Sequence, residues 1–362
     1  MIGIIFSNNL NTCPYIDKYI DTFERLGVEY EVILWNREQI EVNYPSNYKV
    51  YNMPSDIYGA KWKKIRGFYG FRKFIIHAIR TEKYEKLIFL TTFTALMCYG
   101  LTQHKYANKY IFDFRDLGFE YNRLYRKCVK RIIDKSYFTC MSSPGFATVF
   151  QLKNYIMAHN FRYKDLRDQI NQIKEKSGQI VLLHIGITRG EAYNKRLADI
   201  FGGDDRFVVY IVGSGNDTDT FMSYVEQYSN IIVQGRYDNE DKAGLIAQAD
   251  MLLYYYPGDF NCNRALANKY YDGLIYKKPL IGNINTYSGK RLQRKGLGIS
   301  IDLSDDKVAD KIYSYFEKLD QKEFLCSVKK ELDRVMKEDE VYIKKMEEFA
   351  LGSEKSIYQT ID

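Results

Sequence analysis

The chain has 362 residues, 53 Lys and Arg against 46 Asp and Glu, and a hydrophobic fraction of 46%, which suits two domains that each bury a core. No stretch approaches the ~18 consecutive apolar residues of a membrane span. Its six cysteines, Cys13, Cys98, Cys128, Cys140, Cys262 and Cys326, are scattered without a CxxC pair and indicate neither a disulfide framework nor a zinc site.

The first residues, MIGIIFSNNL, predict a buried strand over 2–6. They lack the basic start and small-residue cleavage site of a signal peptide, so a cytoplasmic protein is expected. The loop that follows, SNNLNTCP at 7–14, has no glycine, which argues against a dinucleotide-binding GxGxxG turn, and it is polar enough to line an acceptor site. Tyr15, Ile16, Tyr19, Ile20, Phe23 and Leu26 recur at helical spacing up to Gly27, and VEYEVILW at 28–35 is the next strand. This order predicts a right-handed βαβ unit.

Residues 51–150 carry 18 Lys and Arg against 7 Asp and Glu. Two segments concentrate that charge: KWKKIRGFYGFRK at 61–73, with interleaved aromatic residues, and RLYRKCVKRIIDK at 123–135. The mixture suits an anionic membrane surface and would suit nucleic acid too, although no recognisable nucleic-acid module is present; the plainer account is a solvated helix face whose apolar residues join the core. Strands are expected at 87–90, 110–114 and 136–142. FDFRDLG at 112–118 puts Asp113, Arg115 and Asp116 at a strand's carboxyl end, where clefts form in parallel sheets; they would orient acceptor hydroxyls or a phosphate, or simply pair with one another.

The polar segment 160–178 reads as an interdomain link, after which strand and helix alternate again from 179. Glycines and basic residues recur at strand ends: Gly186 with Arg189, Gly213, then Arg236 with Tyr237. Backbone N–H groups there can meet a diphosphate. Asp217-Thr218-Asp219 has the paired-aspartate pattern of a metal site, but its loop position favours helix capping. His77, His104, His159 and His184 form no ligand set, and His184 reads as a core histidine. The most informative stretch is 249–282, with strands at 251–256 and 279–282 around a helix. Asn268 stands at the expected N-cap of that helix, with Lys269 and Asp272 on one face near its start. Lys269 would neutralise phosphate oxygens and Asp272 would accept from ribose hydroxyls. The local pattern alone leaves open a surface helix with both groups solvated. Beyond 335 a charged helix closes the chain.

The segment NKYYD at 268–272 followed by KPLI at 278–281 resembles the PNK-aromatic-aromatic-E … GKP-apolar block of bacterial GT-B glycosyltransferases near family 4 and its capsule-type relatives. NIIVQGRYDNEDKAGLIAQAD at 230–250, VVYIVGSG at 208–215 and the strand and loop at 180–190 are similar to the elements preceding that block. Ala267 replaces a proline, Asp272 a glutamate and Lys277 a glycine. Arg264 falls where relatives carry a first glutamate, which reverses the charge, and Arg115 falls where a histidine is common.

The resemblance implies an α/β, GT-B fold: two Rossmann-like domains with parallel sheets facing across a cleft. The domains are an acceptor-binding one at 1–165, a donor-binding one at 179–335, and a helix at 336–362 crossing back to the first. It further implies a retaining transfer from a nucleotide-diphosphate sugar to a lipid-linked glycan in bacterial surface polysaccharide synthesis. No cofactor and no metal are expected, and no nucleic acid is expected as a partner. The catalytic candidates are Asp113, Arg115 and Asp116. The donor-binding candidates are Gly186, Arg189, Gly213, Arg236, Tyr237, Arg264, Asn268, Lys269 and Asp272. The alternatives are a nucleotide-sugar epimerase of similar fold and a silent GT-B subunit that binds a sugar polymer or partner.

Overall fold

A computed structural model describes residues 1–55, 61–167, 178–188, 190–215, 218–238, 240–256 and 258–352. The chain divides into two units, Met1–His159 with the residues from Lys337 onward, and Asn160–Met336.

The first unit is built on seven strands: β1 Ile2–Phe6, β2 Tyr30–Asn36, β3 Tyr48–Asn52, β4 Lys86–Phe89, β5 Tyr110–Phe114, β6 Phe138–Met141 and β7 Ile156–Met157. All pair in parallel, in the order β3-β2-β1-β4-β5-β6-β7. β1 and β5 are buried along their whole length, as strands covered by helices on both faces must be. The helix Ile16–Leu26 stops at Gly27, whose φ of 64° is the left-handed conformation that glycine adopts without a Cβ penalty. β3 and β7 escape the sequence reading: β3 is half-exposed with no clear alternation, and β7 has two residues.

The second unit has β8 Ile180–Ile185, β9 Phe207–Val212, β10 Ile231–Gln234, β11 Met251–Tyr254, β12 Leu280–Asn283 and β13 Gly298–Ile301. They too are parallel, in the order β10-β9-β8-β11-β12-β13. In each sheet the strand order reverses beside the first strand, between β1 and β4 and between β8 and β11. Loops leave in opposite directions there and open a crevice at the carboxyl ends.

The boundary corrects the expected end of the first domain at 165. Phe161 is buried in the second unit's core with Tyr271 and Leu274, so the first unit stops at His159. The expected link at 160–178 holds a short helix, Tyr163–Arg167, and its remainder from 168 to 177 lies outside the described residues. The closing helix begins at Gln321 rather than near 336 and runs to Leu351. Its Tyr342, Met346 and Phe349 are buried in the first unit's core. Beside them Lys18 and Asp339 form an ion pair at 2.6 Å, both side chains no more than 4% exposed. Burial pulls the Lys18 ammonium below its usual range, and Asp339 opposes that pull. All six cysteines are free, four of them buried.

Candidate functional site

At the carboxyl end of the second sheet, glycines let two strand ends approach. Gly186 follows β8 with φ 109° and Gly213 follows β9 with φ 135°. A Cβ built on Gly213 would stand 2.0 Å from the Gly186 carbonyl oxygen, and one on Gly186 would stand 3.8 Å from Lys269 Nζ. The lysine therefore lies against the end of the strand beside the reversal point. Lys269 is 3% exposed. Its Nζ donates to the Tyr256 hydroxyl at 3.0 Å and lies 4.8 Å from that ring's centre. Burial, and then the Lys269 charge, push the imidazole of buried His184 well below its ordinary range, and among the described residues its buried Nε2 has no hydrogen-bond partner.

Lys269 and Asp272 belong to the helix Asn268–Ile275. Its N-cap is Ala267 in an extended conformation, not Asn268, which is the first helical residue and is exposed. The one-residue displacement comes from Ala267, whose N–H donates to the Tyr254 hydroxyl at 2.8 Å and fixes the chain's entry. Asp272 is buried, with Oδ1 2.5 Å from Lys242 Nζ. Burial raises its carboxyl above the usual range, against the pull of Lys242 first and of Lys269 after it. Tyr237 stands within reach of the same pair's field and is half-buried. The structure thus brings Gly186, Gly213, Tyr237, Lys269 and Asp272 together at the carboxyl end of the second sheet. It adds Lys242 and Tyr256, which the sequence reading missed. Lys242 is thirty positions from Asp272 with no spacing rule to connect them, and Tyr256 is one of three consecutive tyrosines.

The other candidates lie differently. Arg236 is exposed, with Nε 3.3 Å from Ser214 Oγ, on the rim beside Gly213. Arg264 folds onto its own loop, its guanidinium 4.5 Å from the Phe260 ring centre and donating to the Phe260 carbonyl at 2.9 Å. Arg189 and Asp217 lie outside the described residues. Thr218 opens the helix Thr218–Val225, and its hydroxyl accepts from the Gly215 N–H at 2.7 Å and donates to the Gly215 carbonyl at 2.9 Å, which ties the start of the helix back to the strand end.

In the first unit, Asp113 and Arg115 face one another rather than solvent. Arg115 donates to both carboxylate oxygens of Asp113, at 2.6 and 2.8 Å, and to the Ala158 carbonyl at 2.8 Å. It stacks 4.0 Å over the Tyr15 ring, and the Tyr19 hydroxyl donates to Asp113 Oδ2 at 2.9 Å. Asp113 is fully buried, which corrects its assignment to acceptor contact: a bidentate, sealed pair anchors the strand end. Asp116 is exposed one residue further on. Nearby Glu120, absent from the expected set, is fully buried; its Oε2 accepts from the Gly118 N–H at 2.5 Å and its Oε1 has no partner among the described residues. Burial pushes this carboxyl up. In the loop after β1, Asn9 is buried and holds Asn36 and two backbone N–H groups. Ser7 meets Thr91 at 3.1 Å across the reversal point.

No protein-family model and no curated protein matches the chain. Solved structures do. A sucrose-phosphate synthase from Thermosynechococcus elongatus is 11% identical with a TM-score of 0.65, covering 97% of this chain and 94% of its own. The lipopolysaccharide outer core galactosyltransferase WaaB is 13% identical with a TM-score of 0.65 over 98% of this chain and 100% of its own. HepE of Anabaena, solved in complex with UDP and glucose, is 12% identical with a TM-score of 0.61 over 98% and 99%.

Proposed function

We propose that this chain, which has the GT-B fold, is a glycosyltransferase that takes its sugar from a nucleoside-diphosphate donor. The observation that carries the reading is the buried ammonium of Lys269 against the Gly186 strand end, with Asp272 one helical turn on. Gly186 and Gly213 let the two strand ends close beside the lysine, Lys269 neutralises the departing diphosphate, and Asp272 accepts from the ribose hydroxyls. Arg236 and Tyr237 stand where the base would lie. Donor and acceptor are held for transfer with retention of configuration, and the cations make a bound metal unnecessary.

The acceptor in this reading is a lipid-linked glycan of bacterial surface polysaccharide, met at the inner face of the membrane. Two features support it. Arg123, Lys127 and Arg131 recur at helical spacing and are exposed on the helix Arg123–Lys135. Beside them Phe93, Phe119, Tyr121 and Leu124 are 41 to 73% exposed, and ring contacts at 5.6 and 6.3 Å link Phe68, Phe93 and Phe119. Among the described residues no helix is long and apolar enough to cross a membrane.

Thermal shift with UDP, GDP, ADP, CDP and dTDP, with and without EDTA, tests the donor site. A ligand at about 100 times its Kd stabilises by roughly 2.7 kcal/mol. One nucleotide is expected to raise Tm by several degrees in EDTA, and Lys269→Ala to abolish the rise while keeping the unliganded Tm. Transfer from the matching sugar nucleotide to a lipid-linked acceptor then follows. Equal response by Lys269→Ala, or no response to any nucleotide, overturns the reading and leaves a silent binding subunit.

A further inference from the structure

Lys242 lies between two carboxylates and is bound unequally to them. Its Nζ is 2.5 Å from Asp272 Oδ1 and 3.8 Å from Asp165 Oδ2. Asp165 already has a cation of its own, since Arg162 donates to it at 2.8 and 3.3 Å. Each acid thus has its own base, and Lys242 gives its nearer bond to Asp272, on the same helix as Lys269. The Lys242 side chain is 13% exposed and that of Asp272 is 6%, so water contributes little to keeping either charged.

The groups facing Asp272 are Lys242 from the helix Lys242–Gln248, Lys269 from its own helix, Asp165 with Arg162 behind it, and Tyr237 after β10. Tyr256 reaches the cluster through Lys269. Burial and Asp165 favour the neutral acid; Lys242, and after it Lys269, favour the carboxylate. The distinction matters for a diol. An ionised carboxylate accepts two charge-assisted hydrogen bonds from neighbouring hydroxyls, whereas the neutral acid spends one oxygen as a donor.

We propose that Lys242 is a positioning residue of the donor site: by gripping Oδ1 it keeps Asp272 ionised and aimed, so that the carboxylate receives the vicinal ribose hydroxyls of a nucleoside diphosphate. This rests on the glycosyltransferase reading and adds to it a residue remote in sequence from the recognisable block.

The test is calorimetric titration of the best-binding ribonucleoside diphosphate and its 2′-deoxy counterpart, between pH 5.5 and 9, on the wild type, Lys242→Met and Lys242→Arg. The wild type is expected to prefer the ribo form about tenfold at pH 7, the scale of one hydrogen bond to a charged group, and to lose that preference as pH falls. Lys242→Met is expected to show no preference at pH 7 and to regain it toward pH 9, because the unpaired carboxyl ionises later. Lys242→Arg is expected to retain the wild-type profile. A ribo preference in Lys242→Met with the wild-type pH profile overturns the proposal. So does loss of the preference at every pH in both variants, which would mark the lysine as packing only. A wild type that binds no nucleoside diphosphate fails at the parent reading, which separates the two.

Discussion

Gly213 meets Gly186 so closely that a methyl group on the former would stand 2.0 Å from the carbonyl oxygen of the latter. Two backbone segments, not flexible side chains, would have to part, and φ of 135° is itself hostile to an L side chain. Gly213→Ala is therefore expected to lower Tm by several degrees and to weaken nucleotide binding more than tenfold. Gly244→Ala is the control. It lies inside a helix with nothing within 4 Å of its Cβ position, so it should stabilise by about 0.5–1 kcal/mol. Differential scanning calorimetry of both variants checks the opposite signs.

Glu331 predicts a pH dependence. Burial works to raise its carboxyl, but Arg334, Arg291 and the Tyr270 hydroxyl outweigh burial and hold it down at about 2. Their bonds to Oε1 are 2.8 Å for Arg334, 2.5 Å for Arg291 and 2.6 Å for Tyr270. The folded value lies below the unfolded one, so the stabilisation is present above about pH 4.5 and is lost as pH falls toward 2. It amounts to roughly 3 kcal/mol. Urea unfolding of the wild type and Glu331→Gln between pH 7 and 3 should show a large gap at neutrality that narrows on acidification; a constant gap would refute it.

The Lys18 and Asp339 pair predicts a double-mutant cycle. Asp339→Asn leaves an ammonium buried without its counter-charge and is expected to cost about 3–5 kcal/mol. Lys18→Met with Asp339→Leu removes both charges and should recover most of the loss. Chemical denaturation of the four species measures the coupling, and additive losses would show the pair to be inert.

Exposed Phe119 and Leu124, next to the Arg123, Lys127 and Arg131 stripe, predict graded vesicle binding. Replacing the three cations with Gln should weaken attachment to anionic vesicles by about 1 kcal/mol each at low salt. Phe119→Ser with Leu124→Ser should weaken the part of the binding that survives high salt. Cosedimentation with anionic and neutral vesicles reads both, and equal binding to the two vesicle types would refute the membrane reading.

The alternation of apolar runs and helical spacings carried most of the architecture, because covered parallel strands and their helices each leave a pattern within a few residues. β3 and β7 left none, one being half-exposed and the other two residues long. Lys269 and Asp272 were legible as neighbours on one helical turn. The pairing of Asp113 with Arg115 was open between two meanings until burial decided it: residues two apart on a strand end can look into a cleft or at one another, and these look at one another.

What the sequence alone determined, then, is what short range dictates: the alternating strand and helix order, the glycine stops, and the Lys269 and Asp272 pair. Tertiary structure decided which distant groups share a site. Lys242 reaches Asp272, and Gly213 touches Gly186, only because parallel pairing brings successive strand ends side by side. Such contacts arise from the sheet's register and the crossover helices, and no local spacing in the chain encodes them.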